Sequence, residues 1–143
     1  MKKLTLLLTL LFPVFGATAE HKVKMLNGGP EGVMVFSPAY LKINAGDTVT
    51  FVPSDMGHNA ESVFTPEGSA GWKGAIGKSV TATFDKEGLY VYQCTPHAIM
   101  AMVGIIQVGD ALNKAEFETF SDQMESTFVM NKGRLKTYGE QVK

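Results

Sequence analysis

Residues 89–108, LYVYQCTPHAIMAMVGIIQV, decide the fold of this chain. Two runs of apolar, β-branched and aromatic residues, Leu89 to Cys94 and Val103 to Val108, have the length and composition of buried strands. Tyr90 and Tyr92 alternate along the first run with the same parity as Cys94, so we expect them to anchor that strand in the core. The last residue of the first run and the loop that follows it supply one thiol, one imidazole and two thioethers. The stretch therefore predicts a hairpin whose loop presents metal-binding side chains.

Five further strand-like runs lie before this hairpin, separated by clusters of Gly, Pro, Asn and Asp. The clearest alternates with period two, because Val49 and Phe51 share one face and Thr48 and Thr50 the other. The five runs are His21 to Asn27, Val33 to Phe36, Tyr40 to Asn44, Thr48 to Pro53 and Val80 to Phe84. With the hairpin they favour an antiparallel sandwich or a Greek-key barrel.

The composition changes after Asp110 to residue types that are common in helices. A helical stripe is predicted from apolar residues spaced three and four apart, namely Phe117, Phe120, Met124 and Phe128. We interpret this stripe as core packing against the sandwich. Asn113 can cap the start of the helix. Because Gly133 and Gly139 disfavour a second helix, we expect the tail from Asn131 to be short and loosely packed.

The N-terminus has the pattern of a secretory signal peptide. Lys2 and Lys3 precede an apolar run from Leu4 to Phe15, and small residues follow up to Ala19. The apolar run is shorter than the about 20 residues that a transmembrane helix needs. The predicted organisation is a signal peptide at residues 1–19 and one domain at 20–143, with a sandwich at 20–110 and a helical extension at 111–143.

The composition limits the possible functions. The 143 residues are 45% hydrophobic and 19% charged, with 13 Lys+Arg against 14 Asp+Glu. Removal of residues 1–19 leaves eleven basic and fourteen acidic residues, a net charge of −3. This balance disfavours disorder and nucleic-acid binding. We expect an exported, soluble, monomeric protein that is not inserted in a membrane.

Export restricts the interpretation of Cys94, the single cysteine. In an oxidising compartment this thiol pairs with another chain, stays free, lies buried and inert, or binds a metal. The segment from Cys94 to Met102 is called the ligand loop below. His58 is the upstream histidine that can complete a site with this loop, whereas we interpret His21 as an exposed residue at a strand start. Trp72 is interpreted as packing under a loop.

The ligand types favour copper over zinc. Thiolate and thioether sulfur select copper, and two imidazoles suit both of its oxidation states. One Cys, two His and a distant Met form the electron-transfer site of blue copper proteins. Zinc accepts Cys and His but gains little from a thioether.

Several segments together resemble the cupredoxins, and within them the pseudoazurins. They are Met25 to Asn27, Met34 to Tyr40, Gly46 to Pro53, Gly57 to Asn59, Gly88 to Cys94, and the pattern C-T-P-H-x-x-M-x-M from Cys94 to Met102. A Cys and a His at this spacing would be a weak signal alone, but this ordered set is specific. The resemblance implies a mainly β, Greek-key sandwich of about eight strands with one or two C-terminal helices, one type 1 copper, and electron transport in the periplasm.

The resemblance also implies roles for individual residues. The copper ligands would be His58 Nδ1, Cys94 Sγ, His97 Nδ1 and Met102 Sδ. Met100 corresponds to a methionine that is not a ligand. The backbone N–H of Asn59 would point at the Cys94 sulfur, and Met34 would lie beside the His97 ring.

Electrons would then enter and leave through the edge of His97, inside an apolar patch. This patch is expected to contain Met34, Pro53, Pro96, Ala98 and Met100. Related proteins surround it with lysines, but three such positions here are Gln93, Met56 and Gly28. Lys73 and Lys78 remain as possible neighbours of the patch.

The family implies periplasmic redox enzymes as partners. Copper nitrite reductase is the commonest, followed by nitrous oxide reductase and amine dehydrogenases. The preferred function is therefore a one-electron carrier and not an enzyme. The alternative is a copper-binding or delivery module, and a small copper oxidase would need more histidines than the three in this chain.

Overall fold

Alternating apolar side chains place two stacked sheets around a common core. A computed structural model describes residues 16–143, so the predicted signal peptide lies mostly outside the described residues. Within that range the strands are β1 (Glu20–Gly29), β2 (Gly32–Ser37), β3 (Tyr40–Ile43), β4 (Thr48–Pro53), β5 (Glu61–Phe64), β6 (Val80–Thr83), β7 (Gly88–Gln93) and β8 (Val103–Val108). The helices are a short 3-10 helix (Thr95–Met100), α1 (Lys114–Glu125) and α2 (Arg134–Gly139). The mainly β sandwich is confirmed.

The two sheets have the strand orders β2-β1-β4-β6 and β3-β8-β7-β5. Of the two expected arrangements, an antiparallel sandwich does not describe every pairing, because β1 pairs with β4 and β3 pairs with β8 in parallel. The hairpin of β7 and β8 is antiparallel, with Gln93 opposite Val103 next to the loop. This pairing brings the two ends of the loop together.

Strand β7 is buried on both faces. Tyr90 and Tyr92 lie in the apolar cluster between the sheets, which also contains Cys94. Leu89 and Val91 belong to a second cluster, in which the sheet packs against the C-terminal helices. Two apolar clusters, one on each face, therefore fix the strand that leads into the ligand loop.

The C-terminal helices differ from the sequence expectation in two respects. The stripe from Phe117 to Phe128 does pack in the second cluster. Asn113 occupies the capping position of α1, but its side chain bonds the backbone of Leu89 instead of the helix. The tail is short but not loosely packed, since Leu135 and Tyr138 are buried in the same cluster. None of the helices within residues 16–143 is long and apolar enough to span a membrane.

Candidate metal centre

Cys94 follows the last residue of β7 and is completely buried. Its backbone N–H donates to the carbonyl of Met102 at 2.9 Å, and the N–H of Met102 donates to the carbonyl of His97 at 3.2 Å. Pro96, in the first turn of the 3-10 helix, has a fixed φ angle that stiffens the turn. The loop is thus closed by its own backbone before any side chain binds a ligand.

Three donor atoms converge at this point of the loop. The Cys94 Sγ lies 3.6 Å from the Nδ1 of His58 and 3.4 Å from the Nδ1 of His97, and the two nitrogens are 3.1 Å apart. A point equidistant from the three atoms lies about 2.0 Å from each, close to the usual length of a metal–imidazole bond. The spacing therefore suits one metal ion held by all three side chains.

The two methionines of the loop have different environments. Met102 has no solvent exposure and packs in the same apolar cluster as Cys94. Met100 is half-buried at the end of the 3-10 helix. Only Met102 has the burial expected of a side chain close to the three donor atoms of His58, Cys94 and His97.

Asn27 orients the ring of His58. The Nε2 of that ring donates to the Asn27 Oδ1 at 2.9 Å, which leaves Nδ1 with a lone pair facing the other donors. The backbone carbonyl of His58 also accepts from the N–H of Gly77 at 2.8 Å. The ring contact selects the tautomer with the proton on Nε2, and the backbone contact holds the main chain that carries the ring.

Asn59 connects the two loops that supply the donors. Its Oδ1 accepts from the backbone N–H of Thr95 at 2.7 Å, and its Nδ2 donates to the Thr95 Oγ1 at 2.9 Å. The Thr95 hydroxyl in turn donates to a carboxylate oxygen of Glu61 at 2.7 Å. The expected bond from the backbone N–H of Asn59 to the Cys94 sulfur stays a prediction, in agreement with the lowering effect of this N–H on the pKa of the thiol.

The buried position shifts the titration of two of the donors. Burial lowers the pKa of His58, and the nearby His97 lowers it further. Burial raises the pKa of the Cys94 thiol, although the backbone N–H groups of Asn59 and His97 act in the opposite direction. The metal-free site therefore favours a neutral imidazole and a protonated thiol, and a metal cation displaces the thiol proton on binding.

The residues present fit a copper ion. One sulfur and two imidazole nitrogens lie around a common point, and the buried Cys94 and Met102 belong to the same apolar cluster. Thiolate and thioether sulfur together favour copper over zinc, and imidazole accepts both oxidation states of copper. The cluster of His58, Cys94 and His97 is thus suited to a single type 1 copper.

The other candidate residues lie outside this cluster. His21 is half-buried, and its Nε2 lies 2.9 Å from a carboxylate oxygen of the buried Asp47, so the expectation of an exposed histidine was wrong. Trp72 packs on the core as predicted, stacked on Phe51 with ring centroids 5.3 Å apart. The contacts of Asn27 with His58 were not predicted, because a single polar residue at a strand end has no distinctive pattern.

Comparison with known proteins agrees with the copper site that the geometry indicates. Residues 23–109 match the family model of copper binding proteins of the plastocyanin/azurin family. A pseudoazurin of Paracoccus pantotrophus is 49% identical over 107 residues, which cover 73% of this chain and 72% of the relative. A pseudoazurin of Methylorubrum extorquens is 43% identical over 102 residues, which cover 70% of this chain and 69% of that relative.

The fold agrees with a solved relative. The crystal structure of native pseudoazurin from Hyphomicrobium denitrificans superimposes with a TM-score of 0.78 at 42% identity. That alignment covers 87% of this chain and 98% of the other. Since family model, sequence and structure agree, the chain belongs to the plastocyanin/azurin family of copper-binding proteins, and within it to the pseudoazurins.

Proposed function

We propose that this chain is a one-electron carrier that holds one copper ion with His58, Cys94, His97 and Met102. The observation that supports this most directly is the unequal exposure of the donors. His58, Cys94 and Met102 have no solvent exposure, whereas His97 is half-buried. A site of this kind excludes solvent and substrate but leaves one ring edge for electron exchange.

Bound copper supplies a Cu(II)/Cu(I) couple at this site. The contribution of the protein is to hold the donors in one geometry. Asn27 fixes the ring of His58, Asn59 joins the two loops, and the Cys94–Met102 backbone bond closes the ligand loop. Donors that need not rearrange between oxidation states permit fast electron transfer. Four protein ligands leave no position for a substrate, which argues against an enzyme.

Apolar side chains next to His97 in the ligand loop are exposed or half-buried. Ile99, next to the half-buried Ala98 and Met100, is 59% exposed, and Met56, beside the loop of His58, is 90% exposed. We propose that this surface docks a periplasmic redox partner, with copper nitrite reductase as the leading candidate. A copper-delivery role has less support, since delivery requires exchangeable ligands and three of the four proposed here have no exposure.

The test is the visible spectrum of the protein loaded with Cu(II). We expect one copper per chain and an intense charge-transfer band from the Cys94 thiolate. Cys94→Ala should abolish this band and leave a folded protein, because the two apolar clusters do not depend on the metal. Met56→Gln, a change at an exposed thioether, is the matched control and should keep the band. An intense blue colour in Cys94→Ala would contradict the proposed site.

A further inference from the structure

Three residues other than glycine have a positive φ angle within residues 16–143. They are Met34 at 49°, Ala101 at 56° and Asn131 at 54°. Side chains disfavour this left-handed region, and such residues persist only where surrounding contacts hold them. They lie in β2, in the ligand loop and before α2, which are far apart in sequence. Hydrogen bonds nevertheless connect all three residues at the ligand loop between β7 and β8.

The side chain of Arg134 links two of these residues. Its Nη1 donates to the carbonyls of Met34 at 3.0 Å and Ala101 at 3.2 Å, and also to that of Val33 at 3.1 Å. Arg134 is the only arginine in the chain. Its guanidinium thus ties β2 to the residue that immediately precedes Met102.

Residues 129–131, just before Arg134, also donate hydrogen bonds to consecutive carbonyls of the ligand loop. The backbone N–H groups of Val129 and Met130 donate to the carbonyl of Ile99 at 2.8 and 3.2 Å. The Nδ2 of Asn131 donates to the carbonyl of Met100 at 3.0 Å. Together with Arg134, these groups satisfy three consecutive carbonyls of the ligand loop, at residues 99, 100 and 101.

Arg134 is itself held in position. The carboxylate of Glu125, at the end of α1, accepts the backbone N–H of Gly133 at 2.6 Å and that of Lys136 at 3.2 Å. Leu135 follows directly and is completely buried. On the other side, a Cβ at Gly32 would lie 3.2 Å from the Arg134 Nη2, so the glycine leaves room for the guanidinium.

We propose that Arg134, assisted by Asn131, is a positioning residue for the copper centre. It acts through the backbone of Ala101 on the side chain of Met102, and the inference rests on the proposed function in which Met102 is a copper ligand. The bond from a thioether to copper in such sites is long and weak. The backbone, more than the metal bond, therefore sets the position of the sulfur, and release of Ala101 should alter the metal site.

The variant Arg134→Lys distinguishes a positioning role of Arg134 from an effect of its charge. The guanidinium offers five donors in a rigid fork, whereas an ammonium is a point charge on a flexible stem. If Arg134 positions the loop, Arg134→Lys and Arg134→Gln should behave alike. If the charge of Arg134 alone affects the copper, only Arg134→Gln should change the reduction potential. Lys136→Gln is the matched control, since Lys136 lies on the same helix but pairs with Asp122 at 2.7 Å.

The first readout needs no metal. Amide hydrogen exchange in the metal-free protein should accelerate about tenfold or more at Ala101 and Met102 in both Arg134 variants, while Phe51 in β4 keeps its protection. Equal acceleration at all three amides would show a purely structural role and overturn the proposal, as would unchanged exchange at the loop. If an Arg134 variant does not fold, Asn131→Gly removes one amide donor while tolerating the positive φ, and should accelerate exchange at the same loop amides.

The second readout is the reduction potential of the copper-loaded protein. Both Arg134 variants should shift the Cu(II)/Cu(I) equilibrium constant about threefold or more, which corresponds to about 28 mV, with Lys136→Gln unchanged. A shift in Arg134→Gln but not in Arg134→Lys would refute positioning. Absence of the charge-transfer band in the unsubstituted protein would instead refute the proposed function, and hydrogen exchange would still decide whether Arg134 holds the loop.

Discussion

At the scale of single residues, Met100 and Met102 are expected to affect the copper centre very differently. The backbone of Met102 bonds both Cys94 and His97, and its side chain is buried. Met102→Gln should lower the reduction potential, because an amide oxygen favours Cu(II) where a soft thioether favours Cu(I). We expect about a tenfold change in the Cu(II)/Cu(I) equilibrium constant, or about 59 mV, measured by voltammetry.

Met100→Gln is the control for that change, since it introduces the same amide two residues away. It should retain the copper and shift the potential much less. The reverse order of the two variants would identify Met100 as the methionine ligand and contradict the assignment of Met102.

Residues with local sequence patterns were the easiest to predict. Cys94 and His97 stand three positions apart in one loop, and the structure brings them together with His58 as expected. The supporting residues were not predictable in this way. Asn27 contacts a ring 31 positions away, and Arg134 bonds carbonyls 33 and 100 positions away. Hydrogen bonds to distant backbone groups require no particular spacing, so they leave no recognisable pattern.

At the scale of elements, α1 is attached to β7 by the side chain of Asn113. Its Oδ1 accepts the backbone N–H of the buried Leu89 at 2.7 Å, and its Nδ2 donates to the Leu89 carbonyl at 3.0 Å. Asn113→Ala should lower the free energy of unfolding by about 1–3 kcal/mol, because it leaves buried backbone groups without partners. Urea unfolding of the metal-free protein measures this change.

The visible spectrum of the copper-loaded protein provides the internal control for the Asn113→Ala variant. Leu89 lies near the start of β7, five positions before Cys94, so the charge-transfer band of the copper-loaded variant should be unchanged. Asn113→Asp retains the acceptor oxygen and should lose less stability than Asn113→Ala. A variant as stable as the original would show that the two hydrogen bonds do not stabilise the attachment of α1.

Elements were predictable where their side chains alternate or form a continuous apolar run. The bounds of β4 and β8 agree with the sequence, since both have clear apolar faces. The strand β5 was missed, because all four of its residues are half-buried and show no alternation. The parallel pairing of β1 with β4 was missed for a different reason. A run of residues indicates a strand, but its partner depends on the path of the whole chain.

At the scale of the whole molecule, charge should contribute little to partner docking. A ring of lysines would attract an acidic partner over long range, but Gln93, Met56 and Gly28 stand at three such positions. Lys73 lies 3.4 Å from a carboxylate oxygen of Glu61, which partly offsets its charge. Residues 20–143 also have a net charge of −3. We therefore expect the apolar surface around His97 to dominate docking.

This expectation leads to a prediction about electron-transfer rates with the proposed partner, purified copper nitrite reductase. Met100→Lys and Met100→Glu should each slow the reaction about tenfold or more, since either charge would be desolvated in the interface. Lys73→Ala should change the rate less than about twofold, and the rate should fall only gently with salt, because screening acts on long-range steering. Stopped-flow measurements across a salt series test both statements. A steep fall with salt together with a large loss in Lys73→Ala would show that lysine steering dominates.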